Sequence, residues 1–453
     1  MKIVIAGAGE VGYNLIDKLA AQGARLWVVD RDAQVLEKLS RKFSEVTVDC
    51  ANLVDSRFLT KTHLKDADLF LAITNSDEIN MIACKMASSA GAKRTVCRIR
   101  SIQLKGAKRE ESLKSLGIDH IINPVELAAN ELFHLVSAPY LVDTHEFDQG
   151  NLSLIGYRIQ EFCNIVGQSI SKIEEKLASL SIKPGLVVRQ DRAFLPDGRT
   201  LIEDQDLLYF FCPTGMRSWL RGFLGYAKEA KGRKNIMING GGHIGFKLAT
   251  MLENTHHRVK VIERDRMRSH NIAGRLTNAM VLNMDGTDRR KLLAEGLDEQ
   301  DFFVSLTPRE DVNMAACLIA KAHSNAKTIC LVKQAELTQI IAQGTLIDLA
   351  ISPRLLTARS LIRFVHAGSI ESYFSHGHTA VMQLRLNPKC PCVGKRLGEL
   401  ALPKSSTVAV IGRKGHYILP GIKTEFEAGD LVFLIQHDQD KNEVMSFFSP
   451  AEP

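Results

Sequence analysis

The sequence predicts an α/β protein in four parts: two doubly wound parallel sheets, each followed by a small α+β domain. Three observations carry that prediction. A glycine-spaced phrase, "KIVIAGAGEVGYNLI" at 2–16, returns as "NIMINGGGHIGFKLA" at 235–249. After each phrase, strand-like and helix-like segments alternate, as a parallel sheet with helical crossovers requires. A second, shorter repeat follows each alternating stretch. The chain of 453 residues is also too long for one ordinary core.

In the first copy, residues 2–6 read as a buried strand. Gly7-x-Gly9-x-x-Gly12 follows, then a helical pattern that Gly23 is placed to end. "RLWVVD" reads as the second strand and ends at Asp30, 18 residues after Gly12. This is the Rossmann-like context of a dinucleotide site. The first glycine permits a tight turn, the second lets backbone approach a diphosphate, and the third lets helix pack on strand. Open N–H groups and the helix dipole would then hold the anion. In the second copy Gly240-x-Gly242-x-x-Gly245 is followed at the same spacing by Glu263. An acid there favours NAD or NADH over a 2′-phosphorylated cofactor, a preference that the adjacent Arg31 and Arg264 weaken. A Walker-type loop is absent, so ATP or ADP would use the adenosine half of such a pocket.

The repeat extends well past the glycines. "ADLFLAITNSDEINMIACKMA" at 67–87 parallels "QDFFVSLTPREDVNMAACLIA" at 300–320, and "RTVCRIR" at 94–100 parallels "KTICLVK" at 327–333. Strand four is expected to end at Ile73-Thr74 and at Leu306-Thr307, beside the switch point where ligands lie. Thr74 and Thr307 can offer a hydroxyl and a backbone amide there, with ordinary loop capping as the competing role. Asp49 and Asp285 are read as matched ends of strand three, near an adenine, with loop capping as the competing role. Arg98 sits within reach of phosphates, where the second copy has Leu331 and Val332. Glu10 and His243 occupy matched turn positions, so the two sites are expected to prefer different nucleotides.

The shorter repeat covers 166–211 and 393–435, each running short helix, strand, turn, strand, acidic turn, strand. Asp206 and Asp430 precede its last strands and are read as turn residues. The segment 217–234 carries six basic residues, one acid, and interleaved aromatics including Trp219 and Phe223. It reads as a linker packed between halves, or else as a contact for an anionic surface or a partner. Helices at 124–136 and 353–365 carry apolar residues (Leu127, Leu132 and Leu135; Leu355, Leu361 and Phe364), so they could cross over and pair the sheet domains.

Composition excludes several classes. Net charge is +7, but Lys and Arg are mostly interleaved with acids, which argues against a nucleic-acid partner. No apolar run nears the ~18–20 residues of a membrane span, and the N-terminus carries no signal-peptide pattern. Nine cysteines without a framework spacing suggest reduced thiols in the cytoplasm. Cys390-Pro391-Cys392, with His376 and His378 nearby, reads as two loop thiols and solvated histidines, so no metal is expected.

The duplicated order, the glycine phrases with Asp30 and Glu263, and the turns "LPDG" at 195–198 and "LPG" at 419–421 resemble tandem RCK (regulator of potassium conductance) domains. On that resemblance residues 1–123 and 233–350 are RCK N-terminal domains, and 143–225 and 369–453 are RCK C-terminal domains. The family implies NAD or NADH and ATP or ADP as ligands. It implies a cytoplasmic homo-oligomeric ring, a tetramer, at the inner face of the cell membrane. There it would regulate a membrane potassium-channel subunit of the Trk type. Family contacts map onto Gly7, Ala8, Gly9, Glu10, Val11, Asp30, Ile73, Thr74 and Arg98. In the second copy they map onto Gly240, Gly241, Gly242, His243, Ile244, Glu263, Leu306 and Thr307, with Leu331 departing from the pattern. The short domains share no His or Cys at matched positions, so catalytic groups are scarce and a sensor is favoured. The alternative is an NAD-dependent oxidoreductase.

Overall fold

The first glycine phrase joins β1 (Lys2–Ala6) to α1 (Glu10–Ala20). Then come β2 (Arg25–Asp30), α2 (Ala33–Lys42), β3 (Thr47–Cys50), α3 (Thr62–Lys65), β4 (Leu69–Ala72), α4 (Asp77–Ser89), β5 (Thr95–Arg98), β6 (His120–Ile122) and α5 (Pro124–Ser137). This computed structural model describes residues 1–20, 24–53, 55, 62–100, 113, 115–137, 140–190, 192–226, 232–344, 346–365, 370–376 and 378–449. Gly23, the expected helix stop, lies outside them. The strands form one parallel sheet in the order β3-β2-β1-β4-β5-β6. Helices cover both faces, so the central strands "IVIA" and "LFLA" are wholly buried and uniformly apolar. The order reverses between β1 and β4, which opens a crevice at their carboxyl ends.

The first short domain contains β7 (Leu141–Phe147), β8 (Leu152–Arg158), α6 (Ile170–Leu177), β9 (Lys183–Arg189), β10 (Arg192–Phe194), β11 (Leu207–Pro213) and α7 (Arg217–Leu224). Its antiparallel sheet runs β10-β9-β11-β8-β7. Helix α7 corrects the linker reading of 217–234. Leu220, Leu224 and Tyr226 are fully buried in this domain's own core, and the Tyr226 ring stacks on Tyr140 at 4.1 Å. Residues 227–231 of that segment lie outside the described ones.

The second sheet domain repeats the first: β12 (Asn235–Asn239), α8 (His243–Glu253), β13 (Arg258–Ile262), α9 (Arg266–Ala273), β14 (Met280–Leu282), α10 (Arg289–Ala294), β15 (Phe302–Ser305), α11 (Glu310–His323), β16 (Lys327–Leu331), α12 (Ala335–Gln343), β17 (Leu349–Ile351) and α13 (Pro353–Val365). Its parallel order, β14-β13-β12-β15-β16-β17, matches the first. The last domain holds β18 (Ile370–His376), β19 (Thr379–Arg385), β20 (Ser406–Arg413), β21 (His416–Ile418), β22 (Leu431–His437) and α14 (Lys441–Phe448), in sheet order β18-β19-β22-β20-β21. Where the first short domain has α6, this one has a single 3₁₀ turn, Leu397–Glu399.

Chain order and spatial grouping differ. Met1–Phe133 and Arg233–Ile362 form one unit, and His134–Gly232 and Arg363–Pro453 form another. Sheet domain therefore packs with sheet domain, and short domain with short domain. In the first unit each closing helix reaches the other copy: Lys247 of α8 pairs with Glu126 of α5 at 3.9 Å, and Arg354 of α13 pairs with Glu10 of α1. In the second unit the two antiparallel sheets share a core of Phe147, Leu154, Tyr209, Phe211, Val381, Val410 and Phe433. Each sheet's opposite face covers its own helices. Both faces are buried, which explains why "LLYFFC" and "LVFLIQ" read as continuous apolar runs rather than alternating ones.

Candidate nucleotide sites

The glycine turns are set by close backbone packing. Gly7 has φ +116°, and a Cβ there would lie 3.0 Å from Thr74 N and 3.1 Å from Ile73 C. Gly240, at φ +110°, would meet Thr307 N at 2.9 Å and Leu306 C at 3.0 Å. Only glycine fits both the left-handed backbone and the approach of strand four. The third glycines are tighter: a Cβ on Gly12 would lie 2.1 Å from the Gly7 carbonyl oxygen, and one on Gly245 would lie 1.9 Å from that of Gly240. The middle glycines are the opposite case. Among the described residues, a Cβ on Gly9 or Gly242 would meet nothing within 4 Å.

That open space lies at the start of α1 and of α8. Gly242, the residue that caps α8, offers no side chain to its first N–H groups, and the same holds for Gly9 before α1. By contrast Asp32, Ser76, Asp265 and Asp288 cap their helices with side-chain oxygens. An uncapped helix start behind a glycine that leaves room is what a phosphate needs. The residues present therefore fit the phosphates of a nucleotide. Val11 is buried beneath the turn, Ile244 is half-buried, and Glu10 and His243 stand exposed at the lip.

The acids closing the second strands brace these turns. Asp30 Oδ2 accepts from Ala8 N–H at 2.6 Å, and Oδ1 accepts from Asp32 N–H at 3.0 Å. Glu263 does the same with Gly241 N–H (3.0 Å) and Asp265 N–H (2.9 Å), and it is nearly buried. Each oxygen keeps a second lone pair, so a ribose hydroxyl can still be accepted. Arg268 stands 3.6 Å from Glu263. Arg31 and Arg264 are exposed; the Arg31 backbone carbonyl accepts the Cys50 thiol at 3.6 Å, and the Arg264 guanidinium pairs with Asp285 at 3.6 Å.

Thr74 and Thr307 lie at the crevice, but their polar groups are engaged within the protein. Thr74 N–H and its hydroxyl both donate to Asn80 Oδ1, at 2.9 and 2.6 Å. Asn80 Nδ2 donates to the carbonyls of Thr74 and Arg98. Asn313 repeats all four bonds with Thr307 and Leu331. These buried asparagines staple strand four to strand five, and the sequence reading missed them. The signal was present: "DEINMIACKMA" and "EDVNMAACLIA" carry Asn at the same place.

The two sites differ beyond that frame. Arg98 NH1 donates to the Thr74 carbonyl (3.1 Å) and to Asn75 Oδ1 (3.3 Å). Burial, with Arg100 alongside, lowers its pKa, and its Nε is buried with no hydrogen-bond partner among the described residues. Leu331 replaces it in the second copy. There Asn239 and Ser305, where the first copy has Ala6 and Ala72, extend the Asn313 network inward. Strand register corrects the pairing of Asp49 with Asp285. Asp49 lies within β3 opposite Val29, whereas β14 ends at Leu282, three residues before Asp285. The Asp285 carboxyl is held below the usual carboxylate range by the Thr287 hydroxyl and amide.

Other expected features lie away from these crevices. Asp206 and Asp430 do shape their turns, accepting from Glu203 N–H and Glu427 N–H. They also hold Arg189 and Arg413 through two-pronged pairs, a matched role the sequence reading did not see. Cys390 and Cys392 are buried and tie their loop to the end of α14 through Phe448 O and Phe447 O. His378 stacks near His437, while the side chain of His376 lies outside the described ones. No helix among the described residues is long and apolar enough to cross a membrane.

The fold and paired sites define a tandem RCK-type protein, with two Rossmann-like domains and two small α+β domains. The TrkA-N domain matches residues 3–124 and 236–353, and the TrkA-C domain matches 381–449, so the chain belongs to the TrkA family. It is 28% identical to the Trk system potassium uptake protein TrkA of Haemophilus influenzae, over 100% of this chain and 99% of that one. It is 29% identical to the protein of the same name from Vibrio alginolyticus, over 100% and 99%. A structure of the GsuK channel bound to NAD shares the fold at TM-score 0.65 and 18% identity, covering 98% of this chain and 78% of that one. The GsuK RCK domain does so at TM-score 0.63 and 19% identity, covering 98% and 94%.

Proposed function

We propose that this protein is a nucleotide-sensing regulatory subunit of potassium uptake, not an enzyme. It binds NAD or NADH in its glycine-turn sites, with ATP or ADP as further ligands. Gly7 to Val11, Asp30 and Arg98 would hold the nucleotide in the first site, and Gly240 to Ile244 and Glu263 in the second. Thr74 and Thr307 contribute mainly by shaping the crevice, since their hydroxyls are engaged with Asn80 and Asn313. The observation that carries the reading is the duplicated pair of uncapped helix starts behind Gly9 and Gly242, in a chain whose full-length relatives are named as potassium uptake proteins.

The protein would work as a homo-oligomeric ring, a tetramer, on the cytoplasmic side of a membrane potassium-channel subunit of the Trk type. Nucleotide would act by favouring one arrangement of the sheet domains over another. Moving a population from 1:99 to 99:1 takes about 5.5 kcal/mol of differential affinity, a load that several sites per ring can share.

Ion flux through the reconstituted channel complex, measured with each nucleotide in turn, tests this. Flux should change with at least one of NADH, NAD, ATP or ADP. Flux indifferent to all of them would remove the sensor reading. Turnover of NADH by the purified chain with alcohol or keto-acid substrates would favour an oxidoreductase instead.

A further inference from the structure

The ion pair between Glu10 and Arg354 joins two different domains at one lip. Glu10 follows Gly9 and opens α1 of the first sheet domain, whereas Arg354 follows Pro353 and opens α13 of the second. Arg354 is about two-thirds buried, and that burial lowers its pKa. A partly desolvated cation at the positive end of a helix is unfavourable unless an anion accompanies it. In this structure that anion is the Glu10 carboxylate, which bonds one guanidinium nitrogen and leaves other N–H donors of the fork for a second acceptor. Beside it lies the open space in front of Gly9.

We propose that Arg354 is a phosphate ligand of the first nucleotide site, lent by the second sheet domain and held in waiting by Glu10. The proposal rests on the nucleotide reading above and names what reads the ligand's charge. A nucleoside di- or triphosphate arriving at α1 competes with Glu10 for Arg354, and draws α13 of the second domain toward the first. Among the described residues the second site has no such device. The residue matching Arg354 after Pro124 is Val125, and the residue matching Glu10 is His243. With Arg98 also confined to the first copy, site one carries two arginines toward phosphate and site two carries neither. The sites then differ in kind: the first favours the more highly charged ligand.

Calorimetric titration of the full-length chain with ADP tests this in two backgrounds. Gly242→Val leaves only the first site, and Gly9→Val leaves only the second. In the Gly242→Val chain, Arg354→Gln should weaken ADP about tenfold or more and reduce the salt dependence of binding. Arg354→Lys should recover most of the loss, and Glu10→Gln should tighten ADP by freeing the arginine. In the Gly9→Val chain, Arg354→Gln should change nothing. Equal ADP affinity with and without Arg354 in the Gly242→Val chain would overturn the proposal while leaving the nucleotide reading intact. So would an equal loss in both backgrounds, which would mark Arg354 as a structural residue. Undiminished ADP binding in a chain carrying both valines would overturn the nucleotide reading, and the proposal with it.

Discussion

The Asp30 carboxylate takes the Ala8 N–H of the glycine turn at 2.6 Å. The acid is thus part of the turn before any ribose arrives, and Glu263 repeats the arrangement with Gly241. Asp30→Ala should cost about 1–2 kcal/mol without ligand, because a backbone donor loses its partner. Asp30→Asn should cost less, since its amide oxygen can still accept from Ala8. Urea unfolding of the nucleotide-free protein checks the order. Equal stability of the alanine variant and the parent would mean that the acid does not brace the turn.

The middle and last glycines of each phrase should fail in different ways. Gly12→Ala drives a methyl into the Gly7 carbonyl, and Gly245→Ala does so at Gly240. Each should destabilise by about 1–3 kcal/mol. Gly9→Val and Gly242→Val face open space, so their unfolding midpoints should match the parent's within error. Together they should abolish the thermal shift given by NADH. A retained shift in the double variant would contradict the site assignment.

Asn80 and Asn313 are stability residues in disguise. Asn80→Ala would leave the Thr74 amide and the Arg98 carbonyl without the Asn80 partner, and the Thr74 carbonyl with only Arg98. A loss of about 2–4 kcal/mol is expected. Asn80→Asp should be no better, because a carboxylate would face two carbonyl oxygens. If denaturant midpoints place the aspartate variant level with the parent, the assigned amide orientation is wrong.

Asp348 gives a pH signature. Burial pushes its carboxyl upward, but the Lys321 ammonium at 2.6 Å and the amide and hydroxyl of Thr328, each at 2.8 Å, outweigh this and hold it below the usual range. The folded value lies below the unfolded one. Its stabilisation is therefore complete above about pH 4 and fades as pH falls through the folded value. Asp348→Asn should cost about 1–2 kcal/mol at neutral pH, and the gap to the parent should narrow by pH 3. A gap that is constant across that range would assign the loss to packing.

Much of the architecture was legible because its causes are local. Strand, turn, helix and acid fall at fixed spacings along a few dozen residues, and the repeat of "EINMIAC" as "DVNMAAC" shows that helix four of each sheet is one design used twice. Other features were not legible. The 217–234 segment looked like a linker because its charge is linear information, whereas the burial of Leu220 and Leu224 depends on a sheet formed by residues 152–213. Asp285 looked like a partner of Asp49 because short strands leave their ends unmarked in sequence.

By itself, then, the sequence determined the duplicated sheet domains, their glycine turns and the acids that follow, since hydrophobic period and turn chemistry act between near neighbours. Only tertiary structure decided that like domain packs with like, that Asn80 on one helix meets the Arg98 carbonyl of the next strand, and that Arg354 meets Glu10. Those contacts join residues far apart in the chain. Their partners are chosen by which surfaces can bury each other, and no periodicity along the chain records that choice.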